Sequence, residues 1–232
     1  MTIGSFWTSY NDSIQLLKQS RLFKEDNRHQ NYSYSDDCKN YSRSDDYLTI
    51  YHSLVNNRDY DLQLRDESLL QFSYNGGEHR MVFIQNPIKY RSFEDFLNEL
   101  GICQTESKEL IEEYKGIFCE DYSQYLSELN LNSGAVYFRY DIDSRGREKN
   151  ENIHAYSHLH IGLNNNIRIP VGKELTPLAF VIFVVRHVYY DKWVEINKNR
   201  VLLPFFEKFK SQCGSIQSDK WSEFEKKDLY ID

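Results

Sequence analysis

The stretch Ile153-His154-Ala155-Tyr156-Ser157-His158-Leu159-His160-Ile161-Gly162 constrains the fold more than any other part of the chain. Side chains on a strand alternate between two faces. His154, Tyr156, His158 and His160 share one parity, and Ala155, Leu159, Ile161 and Leu163 share the other. An extended chain therefore sends the imidazoles one way and the apolar groups the opposite way. The preceding segment behaves alike: Val136, Phe138, Tyr140 and Ile142 alternate with Tyr137, Arg139, Asp141 and Asp143. In the segment that follows, Ile167, Ile169 and Val171 flank Arg168.

Three neighbouring antiparallel strands would gather Arg139, Asp141, Asp143, His154, Tyr156, His158, His160 and Arg168 on one face. A three-residue turn at Asn164-Asn165-Asn166 predicts Ile161 opposite Ile169, Leu163 opposite Ile167 and Arg168 opposite Gly162. A slip of one residue would turn every apolar side chain to the wrong side. The polar run from Ser144 to Asn152 suits a loop.

The rest of the chain supplies helices and an earlier hairpin. Tyr10 to Phe23 reads as a first helix, and the polar stretch Lys24 to Asp46 as a long loop. Tyr47 to Val55 has helical spacing. Leu62 and Leu64, then Leu70, Phe72 and Tyr74, alternate like strands. Asn75-Gly76-Gly77 turns the chain into a returning strand, Arg80 to Gln85. Phe93 to Leu100 forms a helix closed by Gly101, a second follows from Thr105 through Phe118, and a further helical stretch reaches towards Leu129. Thr176-Pro177 is a strong helix start, and the helix to about Trp193 is apolar nearly all round, as a buried helix is. Val201 to Lys210 and Ser218 to Lys227 suggest two more. The expectation is one α+β domain over residues 1–232, with an antiparallel sheet of five or six strands packed by helices on one face. Its functional core spans about residues 134–195.

Composition limits the function classes. The net charge of −7 argues against a generally basic nucleic-acid surface, though a local basic groove is compatible with it. Cys38, Cys103, Cys119 and Cys213 are widely spread with no C-x-x-C, which fits a reducing cytoplasm and argues against a cysteine zinc site. The start Met1-Thr2-Ile3-Gly4-Ser5-Phe6-Trp7 lacks the pattern of a signal peptide, and the apolar run Leu178 to Val185 is too short to span a bilayer. No P-loop, dinucleotide fingerprint or G-x-S-x-G is present.

Three readings of the histidine block stay open. Neutral imidazoles at i and i+2, His158 and His160, can hold a divalent metal, with Asp141 or Asp143 as a third or bridging ligand. The same imidazoles can move protons while Arg139 and Arg168 clamp a phosphate. The third reading is a hydrogen-bonded polar face with no chemistry. In the second reading, His158 and His160 are general base and acid. His154 supports them, Asp141 orients a histidine, and Tyr156, Arg168 and Arg186 meet substrate. Arg186 sits near the end of the apolar helix and would need a partner if buried: an acidic residue of the site, Asp141 among them, or several backbone carbonyls. The basic loop at Arg145, Arg147 and Lys149 could contact a phosphate backbone.

The run Arg139-Tyr140-Asp141-Ile142-Asp143, then His154 through Gly162, then Arg168-Ile169-Pro170 and Thr176-Pro177, resembles an uncharacterised bacterial family, a domain of unknown function of about 230 residues. The likeness is strongest from about residue 134 to 195. It implies a bacterial cytoplasmic protein and assigns no activity. There is a looser similarity to small bacterial toxin families in which an Arg-Tyr-Asp strand precedes a histidine-rich strand. That similarity implies a ribonuclease encoded beside a protein partner or antitoxin. The expected function is therefore a phosphodiester-cleaving enzyme, acting on RNA rather than DNA, in a defence or toxin–partner system. The alternative is a non-catalytic subunit of a defence or restriction-type complex that binds protein or nucleic acid.

Overall fold

A computed structural model describes residues 1–28, 35, 46–88, 93–102, 108–128, 134–144, 154–163, 167–198, 203–223, 225–227 and 231. Two compact units emerge: Met1–Gln85 together with Val136–Asp232, and the inserted Asn86–Ala135.

The larger unit is built on a seven-stranded sheet with strands in chain order, each antiparallel to the next. These are β1 (Phe23–Asp26), β2 (Leu62–Leu64), β3 (Leu69–Asn75), β4 (Glu78–Ile84), β5 (Tyr137–Ile142), β6 (Ser157–Ile161) and β7 (Ile167–Pro170). The α+β class holds, with one strand more than expected. The extra strand is β1, which opens the polar stretch read as a loop; only four residues long and at the sheet's edge, it gives little alternation to detect. The turn Gly76-Gly77 joins β3 to β4 with Asn75 paired to Glu78. Both glycines have positive φ, +60° and +99°, which a two-residue hairpin turn of this hand requires.

Helix α1 (Ile3–Gln19) begins well before the expected Tyr10. Thr2 and Ser5 cap each other's backbone there, and Phe6, Tyr10, Ile14 and Leu17 bury one stripe. The chain then reverses at Arg21, whose φ is +58°. Helix α2 (Tyr47–Asn56) is capped by Asp46. Helix α6 (Pro177–Val188) starts as expected, with Thr176 Oγ1 accepting from Ala179 N at 3.2 Å. It stops short of Trp193 because Tyr189 leaves the helical region, and α7 (Tyr190–Lys198) follows. The Tyr189 hydroxyl donates to Asp66 at 2.8 Å, which fixes that break. Helix α8 (Leu203–Gln212) comes next. Ser218 to Lys227 gives short 3₁₀ turns at Ser218–Lys220 and Glu225–Lys227 instead of an α-helix.

Helices α1 and α6 form one large core with the sheet face that carries Leu70, Met81, Phe83, Phe138, Tyr140 and Leu159. A smaller cluster lies on the opposite face. There Ile50, Tyr51 and Leu54 of α2 meet Leu69, Val82, Ile84 and Tyr137. The second face is thus apolar and roofed near Ile84 and Tyr137, and turns polar along the strands towards Arg80.

The inserted unit holds α3 (Phe93–Glu99), α4 (Lys108–Ile117) and α5 (Cys119–Glu128). Its own aromatic cluster joins Phe93, Phe96 and Leu97 to Phe118, Tyr122 and Tyr125. Thr105, the Asn164–Asn166 turn and the basic residues Arg145, Arg147 and Lys149 lie outside the described residues.

Candidate active site

Register brings the site together. Arg80 on β4 pairs with Asp141 on β5, and Asp141 pairs with His158 on β6. One step along, Val82 pairs with Arg139, Arg139 with His160, and His160 with Arg168 on β7. The parity expected for β5 and β6 therefore holds: Arg139, Asp141, His158 and His160 share one face, and Phe138, Tyr140 and Leu159 lie buried on the other. The β6–β7 register differs from expectation by two residues. Ile161 faces Ile167 and Leu159 faces Ile169, so Arg168 stands opposite His160 and not Gly162. A two-residue shift keeps every side chain on its face, which is why parity alone could not detect it.

Asp141 is the hub. Arg80 Nε donates to its Oδ1 at 2.6 Å, and Arg139 Nε to its Oδ2 at 2.8 Å. His160 Nε2 and His158 Nε2 lie 3.4 Å and 3.7 Å from the same Oδ2. Burial alone would push the Asp141 carboxyl up. The charges and N–H donors of Arg80 and Arg139 outweigh that and hold it well below the usual carboxylate range.

His158 Nδ1 lies 2.7 Å from the Ala155 carbonyl, which only accepts, so Nδ1 carries a proton; burial disfavours a second one and leaves Nε2 its lone pair. That Nε2 is buried, with no hydrogen-bond partner among the described residues. His160 Nε2 lies 2.9 Å from Arg139 Nη2. A guanidinium has no acceptor, so this shorter contact makes Nε2 the acceptor; the 3.4 Å approach to Asp141 is then electrostatic contact, not a hydrogen bond. Desolvation lowers the affinity of both for a proton, to about 4 for His158. Neither imidazole opens to solvent: His158 is 2% exposed and His160 0%.

His154 precedes the strand yet joins the cluster. The rings of His154, His158 and His160 stack edge to face in sequence, with centroids 4.7 Å apart at each step. His154 Nε2 lies 3.3 Å from Asp143 Oδ2, and its Nδ1 lies 3.3 Å from Nη1 of the exposed Arg168.

Two residues expected at the site lie elsewhere. Tyr156 sits in a bend before β6, where strand parity does not apply. Its ring packs against the large core beneath Lys220 Nζ, 4.6 Å from the ring centre. Arg186 is exposed at the end of α6, 5.7 Å over the Trp193 ring, with no link to Asp141. Being exposed, it needs no buried acid.

Arg80 was missed. It supplies the shortest contact to Asp141, but β4 and β5 are separated in sequence by the whole inserted unit, and nothing local announces their pairing. Had that pairing been assumed, the alternation of Arg80, Val82 and Ile84 would have placed Arg80 on the histidine face.

Asp141, His158 and His160 present donor atoms within 4.8 Å of one another, the shape of a three-ligand cation site. The charges oppose that use. Both Asp141 oxygens already receive guanidinium N–H groups, and the Arg139 guanidinium also reaches His160 Nε2. A divalent cation here would stand against two fixed positive charges at close range. The same charges suit an anion, and beside them His158 Nε2 can take a proton.

No curated protein and no solved structure gives a significant match to this chain. A family model, an uncharacterised conserved protein designated DUF2290, matches residues 16–232, nearly the whole chain. The chain belongs to that family.

Proposed function

We propose that the chain is a phosphodiester-cleaving enzyme, acting on RNA ahead of DNA in the cytoplasm of a bacterium, within a defence or toxin–partner system. The observation that carries this reading is the commitment of His158 Nδ1 to Ala155, which aims an unprotonated Nε2 into a face lined by Arg80, Arg139 and Arg168. Arginines suit a phosphate by charge and by planar donor geometry. A bound phosphate places negative charge beside His158, raises its affinity for a proton and so makes it a stronger base. Asp141 holds Arg80 and Arg139 in place, a positioning role.

The test is cleavage of end-labelled RNA and DNA by purified protein, with and without EDTA, beside His158→Asn. Asparagine keeps a donor for the Ala155 carbonyl and removes the Nε2 lone pair. The expected result is EDTA-resistant cleavage that falls roughly 10²–10⁴-fold in the variant. Equal turnover by variant and wild type would sink the reading.

Burial of His158 and His160 favours a second reading, a binding subunit without turnover, since substrate must displace cover to reach either ring. In that case the wild type binds nucleic acid or a protein partner, and neither RNA nor DNA is cut.

A further inference from the structure

We infer that the reaction at this face is an internal transesterification, in which the 2′-hydroxyl of the substrate is the nucleophile. This rests on the nuclease reading above and specifies its substrate and product.

A phosphodiester can be attacked by a side chain, by a water or by a group of its own. The described cluster offers no serine, threonine or cysteine. Of its two carboxylates, Asp141 has each oxygen bonded to a guanidinium, which draws off its nucleophilicity, and Asp143 lies against His154 at the cluster's end, away from the His158–Arg139 centre. A metal-activated water needs a cation, and Arg80 and Arg139 already occupy the charge position that a cation would take. What the site does offer is a neutral imidazole, His158, whose buried Nε2 makes no hydrogen bond and lies 3.7 Å from the Asp141 oxygen that Arg139 holds. Those parts suffice when the substrate carries a hydroxyl beside its own phosphorus. Ribose does, and deoxyribose does not.

The balance is simple. The 2′-oxygen forms a bond to phosphorus and its proton passes to His158 Nε2. The bond from phosphorus to the 5′-oxygen breaks, and that oxygen takes a proton from water. His158 then returns its proton to water. The products are a 2′,3′-cyclic phosphate and a 5′-hydroxyl, and no water is consumed. Arg139 and Arg168, on the two strands that flank His160, face the charge that grows on the non-bridging oxygens.

The experiment compares three oligonucleotides of one mixed sequence: RNA, the fully 2′-O-methyl form, and DNA. Cleavage is followed in EDTA, binding by fluorescence anisotropy, and the product ends by mass spectrometry. The expected result is RNA cut to fragments lighter by one water than a 3′-phosphate. The 2′-O-methyl form should bind within a few-fold of RNA and stay intact. Cutting of DNA at a similar rate, or fragments ending in a 3′-hydroxyl, would overturn the transesterification and leave the nuclease reading standing. Failure to cut any of the three would overturn both.

Discussion

Arg139 gives its Nη2 to His160 at 2.9 Å while its Nε holds Asp141 at 2.8 Å. One guanidinium thus fixes the tautomer of a buried imidazole and the position of a buried carboxylate. Arg80 closes the group from the neighbouring strand, so three adjacent strands share one charge network. Its net charge is +1, from two arginines, one aspartate and two neutral histidines, and that charge lies on an otherwise acidic chain.

Asp141→Asn should be the most damaging single change in this network. It leaves two guanidiniums facing an amide that cannot neutralise them. Removing one partner of a buried pair costs about 3–5 kcal/mol. Arg80 is 55% exposed at its side chain, so solvent offsets part of that, and the expected loss is roughly 2–4 kcal/mol in urea unfolding. A loss below about 1 kcal/mol would mean that the network holds little of the fold.

Stability should fall in acid in two stages. His158 binds its proton less readily when folded, at about 4, than its ordinary value of 6.5. Its contribution is therefore complete above 6.5 and is lost as pH falls from there towards 4. Over that window the loss is roughly 3 kcal/mol for this group. Asp141 has a lowered folded value too, so its contribution is present above its ordinary 3.8 and disappears only below that. Urea midpoints measured from pH 7 to 4 should drop in the wild type and drop less in His158→Asn. Parallel curves for the two proteins would refute the assignment.

How far the sequence led depends on where each signal lives. Alternation within β5 and β6 is a local property, so the shared face of Arg139, Asp141, His158 and His160 could be read from one short stretch. The Thr176-Pro177 helix start is equally local. Pairing of β4 with β5 spans the inserted helices, so Arg80 escaped. Burial escaped for a related reason. A strand's parity says which side chains share a face, not what covers it, and α2 comes from a distant segment to roof part of the same face. Tyr156 shows where the rule stops, since one residue before the strand a bend turns its ring to the other core.

Leu159→Ala and His158→Asn should separate folding from chemistry. Leu159 is buried against the α1–α6 core, and its truncation should cost about 2–5 kcal/mol. Activity should then follow the folded fraction and be restored at lower temperature. The His158 variant should lose activity at every temperature at which it is folded. The two buried histidines carry stability as well, so alanine at either position should lower the melting temperature, and asparagine at His158 should lower it less.

Tyr140→Phe tests the floor beneath the site. The Tyr140 hydroxyl accepts from Leu175 N at 3.0 Å and lies 2.8 Å from Ser157 Oγ, with no exposure to solvent. Phenylalanine keeps the ring but strands the Leu175 N–H, which costs about 1–3 kcal/mol. Cleavage measured on the folded protein should stay within a few-fold of wild type, because this group faces away from Asp141.

Arg80 and Arg139 hold opposite oxygens of one carboxylate, yet they should respond differently to alanine. The Arg139 side chain is 18% exposed and touches both Asp141 and His160, so Arg139→Ala removes buried contacts and a tautomer lock together. It should lower stability and activity alike. Arg80 reaches solvent from the same carboxylate, and Arg139 still neutralises Asp141 when it is gone. Arg80→Ala should therefore cost little in the melt, about 1 kcal/mol or less, as for partly exposed ion pairs. If its outer edge meets phosphate, substrate affinity should fall while kcat changes less, and the salt dependence of binding should weaken by about one charge. Arg80→Lys should restore charge but not the paired N–H geometry, and recover only part of the affinity. A melt, a binding isotherm at several salt concentrations and a single-turnover rate, taken on the three variants, decide the matter. If Arg80→Ala binds RNA as tightly as wild type, Arg80 serves Asp141 alone and the phosphate must be held by Arg139 and Arg168.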